Sequence, residues 1–338
     1  MASTFKTLLN DDVVNTRTLL HEAIPITGAI ASGTYADNNI KTFSHGMFES
    51  VYDYPYLSSS ANHIFDLTFG HSSNAASSSH TQNSKKLNIY NQMAQVLMGY
   101  TTDGQIRNFD SDGTLDDLAG TMNHCFFMNF SRLLTKDEVK KNSFRLGLYV
   151  DNPLADPQDG TLLTLGDFDA ADEYRTSPSG DYGLIFTSSA DVSDNTNSVG
   201  LIFYQAGVVV LTSSVFSTAE FVSGDLLPAA QTGSTIEQMA DGFRHRLYDM
   251  DFNNTIELNS TIYFCRINHN EFNYSANPTY VSSSKLVVKN NVNDLPVSYL
   301  TTVGLYSADN ELLAVAKLSE PIRKDPNTEL TLRVRLDY

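Results

Sequence analysis

The chain has 338 residues, with 22 Lys and Arg against 39 Asp and Glu, a formal net charge of −17 and a pI near 4.7. That acidic excess opposes binding to DNA or RNA, where affinity comes largely from Lys and Arg displacing counterions from phosphates. The basic spots Lys85-Lys86, Lys140-Lys141 and Arg244-His245-Arg246 are too short for a nucleic-acid track and read as solvated faces. At 41% hydrophobic and 18% charged residues, the chain is too apolar for a disordered polymer and long enough for two or three domains.

The first predicted element is a helix within residues 1–24. Asn10 or Asp11 is placed to cap it, its first turn is acidic, and it runs through Val13, Val14, Arg17, Leu20 and His21 until Pro25 ends it. Ser72–Ser84 is a polar low-complexity loop. A second helix is predicted over Lys85–Met98, with Leu87, Tyr90, Met93 or Ala94, and Leu97 at helical spacing and Gly99 as its stop. From about Cys125 the period changes to two. Phe126–Phe130 reads as a strand, Thr135–Lys141 as a short capped helix or turn, and Ser143–Val150 as a strand. Leu184–Thr187, Val199–Gln205 and Val208–Thr212 follow, the last two joined by a hairpin in which Gly207 supplies a positive φ. The C-terminal strands are Thr261–Ile267, Leu286–Val288, Tyr299–Tyr306, Leu312–Leu318 and Leu330–Leu336, with Ser307–Asn310 as a turn. The last of them alternates cleanly, Leu330, Leu332, Val334, Leu336 and Tyr338 against Thr331, Arg333, Arg335 and Asp337, which predicts an end tied into a sheet. The expected fold is mainly β with a helical N-terminal part. Its divisions are a mixed α/β region over 1–122, a central antiparallel β domain over 123–255 and a β-sandwich-like domain over 256–338.

No apolar run approaches the roughly 18 residues that span a bilayer, so no membrane segment is expected. MASTFKTLLNDD lacks the apolar core of a signal peptide, and Cys125 and Cys265 are accordingly expected as free thiols in a reducing cytoplasm. The eight histidines show no zinc spacing, and GxSxG, GxxxxGK[ST] and GxGxxG are absent, so no catalytic residue, metal or cofactor is expected. The four Asn-x-Ser/Thr sequons, at Asn129, Asn253, Asn259 and Asn273, carry no weight in a chain so rich in these residues.

Two motifs have competing readings. Asp110-Ser-Asp112-Gly-Thr114-Leu-Asp116 matches the DxDGTL nucleophile loop of haloacid-dehalogenase-type phosphohydrolases, but no buried apolar strand precedes it. The same Asp110, Asp112, Thr114 and Asp116 offer oxygens at alternate positions for a weak Ca²⁺ loop, although position twelve is Thr121 and not Glu. A polar surface turn explains the string more simply. Two aromatic segments, Gly46–Leu57 with Phe48, Tyr52, Tyr54 and Tyr56, and Ile267–Tyr280 with Phe272, Tyr274 and Tyr280, read either as plugs of a core or as a protein–protein surface.

The segments TRTLLHEAIPITG, HGMFESVYDYPYLSSSANHIFDL, SRLLTKDEVKKNSFRL, GLIFYQAGVVVLT, EFNYSANPTYV and TTVGLYSADNELLAVAKLSEPI, with LRVRLDY, together resemble virion structural proteins of contractile-tailed bacteriophages, notably marine and cyanobacterial myophages. The resemblance spans most of the chain and is most specific at its C-terminal block. It implies a non-enzymatic particle component, tail- or baseplate-associated, with a neck, collar or fibre-attachment role as the alternative. The implied partners are further copies and other virion proteins, assembled in the host cytoplasm. A receptor- or glycan-binding adhesin, whose partner would be a host receptor, is the rival from another class.

Overall fold

A computed structural model describes residues 5–27, 39–75, 80–114, 120–151, 160–216, 220–275, 280–283, 285–287, 289 and 291–338. In chain order these hold β1 (Val13–Thr27), β2 (Ile40–Lys41), β3 (Glu49–Tyr52), β4 (His63–His71), α1 (Asn83–Leu97), β5 (His124–Phe130), α2 (Arg132–Thr135) and β6 (Glu138–Val139). Next come β7 (Arg145–Tyr149), β8 (Leu162–Gly166), β9 (Arg175–Ser177), β10 (Gly180–Phe186), β11 (Ser198–Phe203), β12 (Val208–Thr212), β13 (Glu220–Val222) and β14 (Asp225–Leu226). The rest is α3 (Leu227–Gly233), α4 (Ile236–His245), β15 (Leu247–Ile267), β16 (Val281–Ser282), β17 (Lys285–Leu286), β18 (Ser298–Tyr306), β19 (Leu312–Lys324) and β20 (Leu330–Asp337). The protein is mostly β, with few helices and a large antiparallel sheet beside smaller ones.

The chain forms two compact units. Leu20–Ile256 makes the central unit, and Met1–Leu19 with Glu257–Tyr338 makes the terminal unit. In the central unit the strands run β15-β7-β8-β10-β11-β12-β5-β4-β3-β2, with β6 added on β15 and β9 on β10. The middle strands, such as Val208-Val-Val-Leu-Thr212, are nearly continuous in apolar residues because both of their faces are buried. Alternation still decides which face each residue serves. Phe126, Met128, Val209 and Leu211 pack with Met239, Ala240 and Phe243 of α4, whereas Cys125, Phe127, Val208 and Val210 pack with Ile89, Tyr90 and Ala94 of α1. Gly70 on β4 lets α1 come close: a Cβ there would stand 2.8 Å from the Lys86 carbonyl oxygen. The hairpin between β11 and β12 turns as its sequence predicts, with Gly207 at φ +67°.

In the terminal unit β15 pairs with β20 from Ser260↔Asp337 to Ile267↔Leu330, and β18 pairs with β19. The predicted alternation of the last strand holds, with Leu330, Leu332, Val334 and Leu336 more covered than their neighbours. Asn310 takes φ +65° in the turn before β19, and its N–H donates to Ser307 O at 3.1 Å.

The helix predicted within residues 1–24 is a strand. Asn10–Asp12 is one 3₁₀ turn, and β1 begins at Val13. Val13, Val14, Thr16 and Thr18 are β-branched and lose side-chain freedom in a helix, and β15 supplies partners. Thr261 Oγ1 donates to Asn15 Oδ1 at 2.8 Å, and Arg17 is ion-paired with Glu257. The acidic "first turn" has another use, because Asp12 accepts the Leu9 N–H at 3.1 Å and meets Arg266 at 2.7 Å. α4, not foreseen from the sequence, carries a capping box in which the Gln238 N–H donates to Thr235 Oγ1 and the Thr235 N–H to Gln238 Oε1. Residues 76–79 of the predicted polar loop, and Val288 of the predicted Leu286–Val288 strand, lie outside the described residues.

Candidate interaction surfaces

The terminal unit buries little apolar surface. Among its described residues Ile267 and Val334 are the only buried apolar side chains, fewer than the buried polar Asp12, Ser260, Thr261, Ser298 and Lys324. Meanwhile Tyr299, Tyr306, Leu312, Leu313 and Val315 on β18 and β19 are exposed. A two-stranded ribbon of this kind is marginal in water unless something covers a face. Charge divides just as unevenly. The terminal unit has ten Lys and Arg against eleven Asp and Glu, and the central unit twelve against twenty-eight, net −1 and −16. Beside the ribbon lies a cleft of about 740 Å³, lined by Phe5, Tyr263, Ile267, Phe272, Tyr306 and Leu313 among others. Phe5 meets Tyr306 edge-on at 4.7 Å between ring centroids.

The turn after β15 presents the aromatic residues singled out in the sequence. Lys324, fully buried, donates through Nζ to His269 O at 3.1 Å, Asn273 Oδ1 at 2.6 Å and Asp325 O at 2.8 Å. Glu271 accepts the Asn268 N–H at 3.0 Å and pairs with Lys6 at 2.6 Å, which holds its carboxyl below the usual range. Ser298 donates to the Phe272 carbonyl. Within this frame Phe272 adopts φ +51°, a left-handed conformation costly for a bulky residue. Phe272 and Tyr274 are exposed at 39% and 55%, while Tyr280 is half-buried and residues 276–279 lie outside the described residues. Polar anchors thus hold a strained backbone that turns rings toward solvent.

The other aromatic segment belongs to the central unit and is split by a strand. Val51 is buried on β3, Phe48 is half-buried in a ring cluster with Phe43 and His45, and Tyr52 is half-buried beside Tyr56 and His63. Tyr54, Tyr56 and Leu57 are exposed. Asp110 and Asp112, by contrast, are buried and serve the main chain. Asp110 Oδ1 accepts the Asp112 N–H at 3.1 Å, and Asp112 Oδ1 accepts the Thr114 N–H at 2.7 Å. Gly120 at φ +72° closes the turn against both carboxyls, and Asp116 lies outside the described residues.

Two buried titratable groups in the central unit, Asp167 and Lys86, also close on the protein itself. Asp167 accepts from Asn142 N at 2.7 Å, Phe144 N at 2.9 Å, Tyr204 OH at 3.0 Å and Arg145 at 3.1 Å, and burial pushes its carboxyl up to about 6. Lys86, expected from the sequence on a solvated face, is buried, as are Arg244 and Arg246; it donates to Gln231 O and Ser234 O, both at 2.8 Å, with burial lowering it to about 8. The Asp167 bonds tie the ends of β7, β8 and β11 together, and the Lys86 bonds tie α1 to the end of α3. Both cysteines are free, and among the described residues no His, Cys, Asp and Glu group is arranged to hold a metal and no helix is long and apolar enough to cross a membrane. Comparison with protein-family models, curated proteins and solved structures finds no match.

The sequence did not single out β18 and β19 as a surface. The available signal was Leu312-Leu-Ala-Val-Ala316, a strand apolar at consecutive positions and so on both faces, in a unit whose described residues include no α-helix.

Proposed function

We propose that the chain is a non-enzymatic structural subunit of a contractile-tailed phage virion, tail- or baseplate-associated, that acts by subunit contacts in a particle assembled in the host cytoplasm. The observation that carries this reading is the terminal unit's surface, with apolar strands and outward-turned rings, one on a strained backbone, around only two buried apolar side chains among its described residues. Burying such rings in a contact brings large area at low entropy cost. The sequence resemblance, strongest over this same unit, supplies the setting. In the test, Tyr274→Ala impairs incorporation into particles while changing the melting temperature of the isolated protein by no more than a few degrees. Normal incorporation with a large fall in melting temperature would make these rings core and overturn the reading.

One feature favours the adhesin as a second reading. Tyr306 and Phe272 border the same cleft as Arg266 and Asn310, a mixture of rings and polar groups suited to a sugar. Glycan binding that Tyr306→Ala abolishes, with particle incorporation intact, would select it.

A further inference from the structure

We propose that the outer edge of β19 pairs with the same edge of a second copy of this chain, antiparallel about a two-fold axis at Ala314. The inference names a partner for the assembly reading above and rests on it for its setting. β19 is hydrogen-bonded to β18 alone, and no other strand among the described residues occupies its outer edge. An open, apolar edge strand is a template for another strand, and proteins that keep such edges free place charges or proline in them. Here Leu312, Leu313 and Val315 are exposed at 53%, 68% and 52%, and Pro321 stands clear of the run. The single irregularity within it is a bulge that leaves Leu313 without a partner on β18.

The run also identifies its occupant. Glu311-Leu-Leu-Ala-Val-Ala-Lys317 has an acid at one end, a base at the other and only apolar residues between. An axis at Ala314 sets Glu311 of each copy against Lys317 of the other, Leu312 against Ala316 and Leu313 against Val315, every pair occurring twice. Moving the axis to Val315 sets Lys317 against Leu313, and moving it to Leu313 sets Glu311 against Val315. The register centred on Ala314 therefore satisfies both charges and buries the whole apolar run, as a self-complementary two-fold contact requires. The charge partition agrees: copies repel through central units of net −16, while terminal units of net −1 can meet.

Sedimentation of the full chain at several concentrations tests this. The parent is expected to dimerise, and Lys317→Glu or Glu311→Lys alone to weaken the dimer about tenfold, since each places two like-charge pairs in register. The double variant E311K/K317E restores the pairs and the dimer, which separates a contact effect from misfolding. Ala314→Cys in a Cys265→Ser background is expected to cross-link copies at the axis under oxidation. A parent that stays monomeric at every concentration, or single variants that dimerise as the parent does, would overturn the proposal. Particle incorporation of the same variants keeps the two readings apart. Monomeric parent protein that still enters particles removes only the strand contact, and a dimer never found in particles removes only the virion reading.

Discussion

Glu49 is the residue whose environment is least suited to its charge. It is 2% exposed on β3, and neither carboxyl oxygen has a hydrogen-bond partner. Burial, followed by the nearby Asp241 and Glu237, pushes it up to about 9 against the opposing Arg244. The sign follows from proton linkage. The folded form keeps the proton that the unfolded chain releases near 4.5, so the stability from that proton is complete below pH 4.5 and is lost as pH rises through 9. Glu49→Gln mimics the protonated side chain. Its expected effect is a gain of about 1–3 kcal/mol at pH 9 that shrinks toward zero below pH 4.5, measured by denaturant unfolding across that range. A variant equally stable with the parent at both ends would mean that Glu49 is ionised and accommodated. None of this was legible in the sequence, where Glu49 sits in an aromatic segment resembling a loop. Its burial depends on β4 beside it and on α4, whose Glu237, Asp241 and Arg244 lie about 190 residues away in the chain.

Among the elements, the strands that the sequence revealed were those whose own residues decide the matter. β5, β11 and β12 are runs of Phe, Val, Ile and Leu bounded by turn residues, and their neighbours only set the register. β1 was misread because its acidic start and apolar spacing imitate a capped helix, and only β15 supplies the partners that make it a strand. The aromatic surface was half legible. Phe272 and Tyr274 stood out by composition, but their exposure depends on Lys324, some fifty residues later, and on Lys6 near the other end of the chain. The same difference between elements predicts their dynamics. β18 and β19 hold each other with few buried apolar contacts, whereas β4, β5, β11 and β12 are covered on both faces. Amides of Thr302–Tyr306 in the dilute protein should therefore exchange with solvent about a hundredfold or more faster than those of Phe126–Met128, as read by hydrogen-exchange mass spectrometry. Equal protection in both would show that the ribbon is already covered within one chain.

At the scale of the molecule, the two hydrophobic clusters belong entirely to Leu20–Ile256. A fragment of residues 20–256 should melt cooperatively by itself, while residues 257–338 alone should show no cooperative transition, and calorimetry of both pieces checks this. A cooperative transition in the smaller fragment would locate a core that its exposed side chains do not suggest. The terminal unit is also assembled from both ends of the described chain, with residues 5–19 docking onto the part of β15 beyond residue 256 and onto β18. During synthesis the early segment must wait, unpaired, while more than two hundred residues are made and the central unit folds. The terminal unit's pairing of β1 with β15 is thus made only after the central unit's residues have been synthesised. A chain abandoned by the ribosome before β20 holds every residue of the acidic central unit yet lacks the strand that pairs β15 from Ser260 to Ile267, so truncation there leaves a long open edge on an otherwise folded protein.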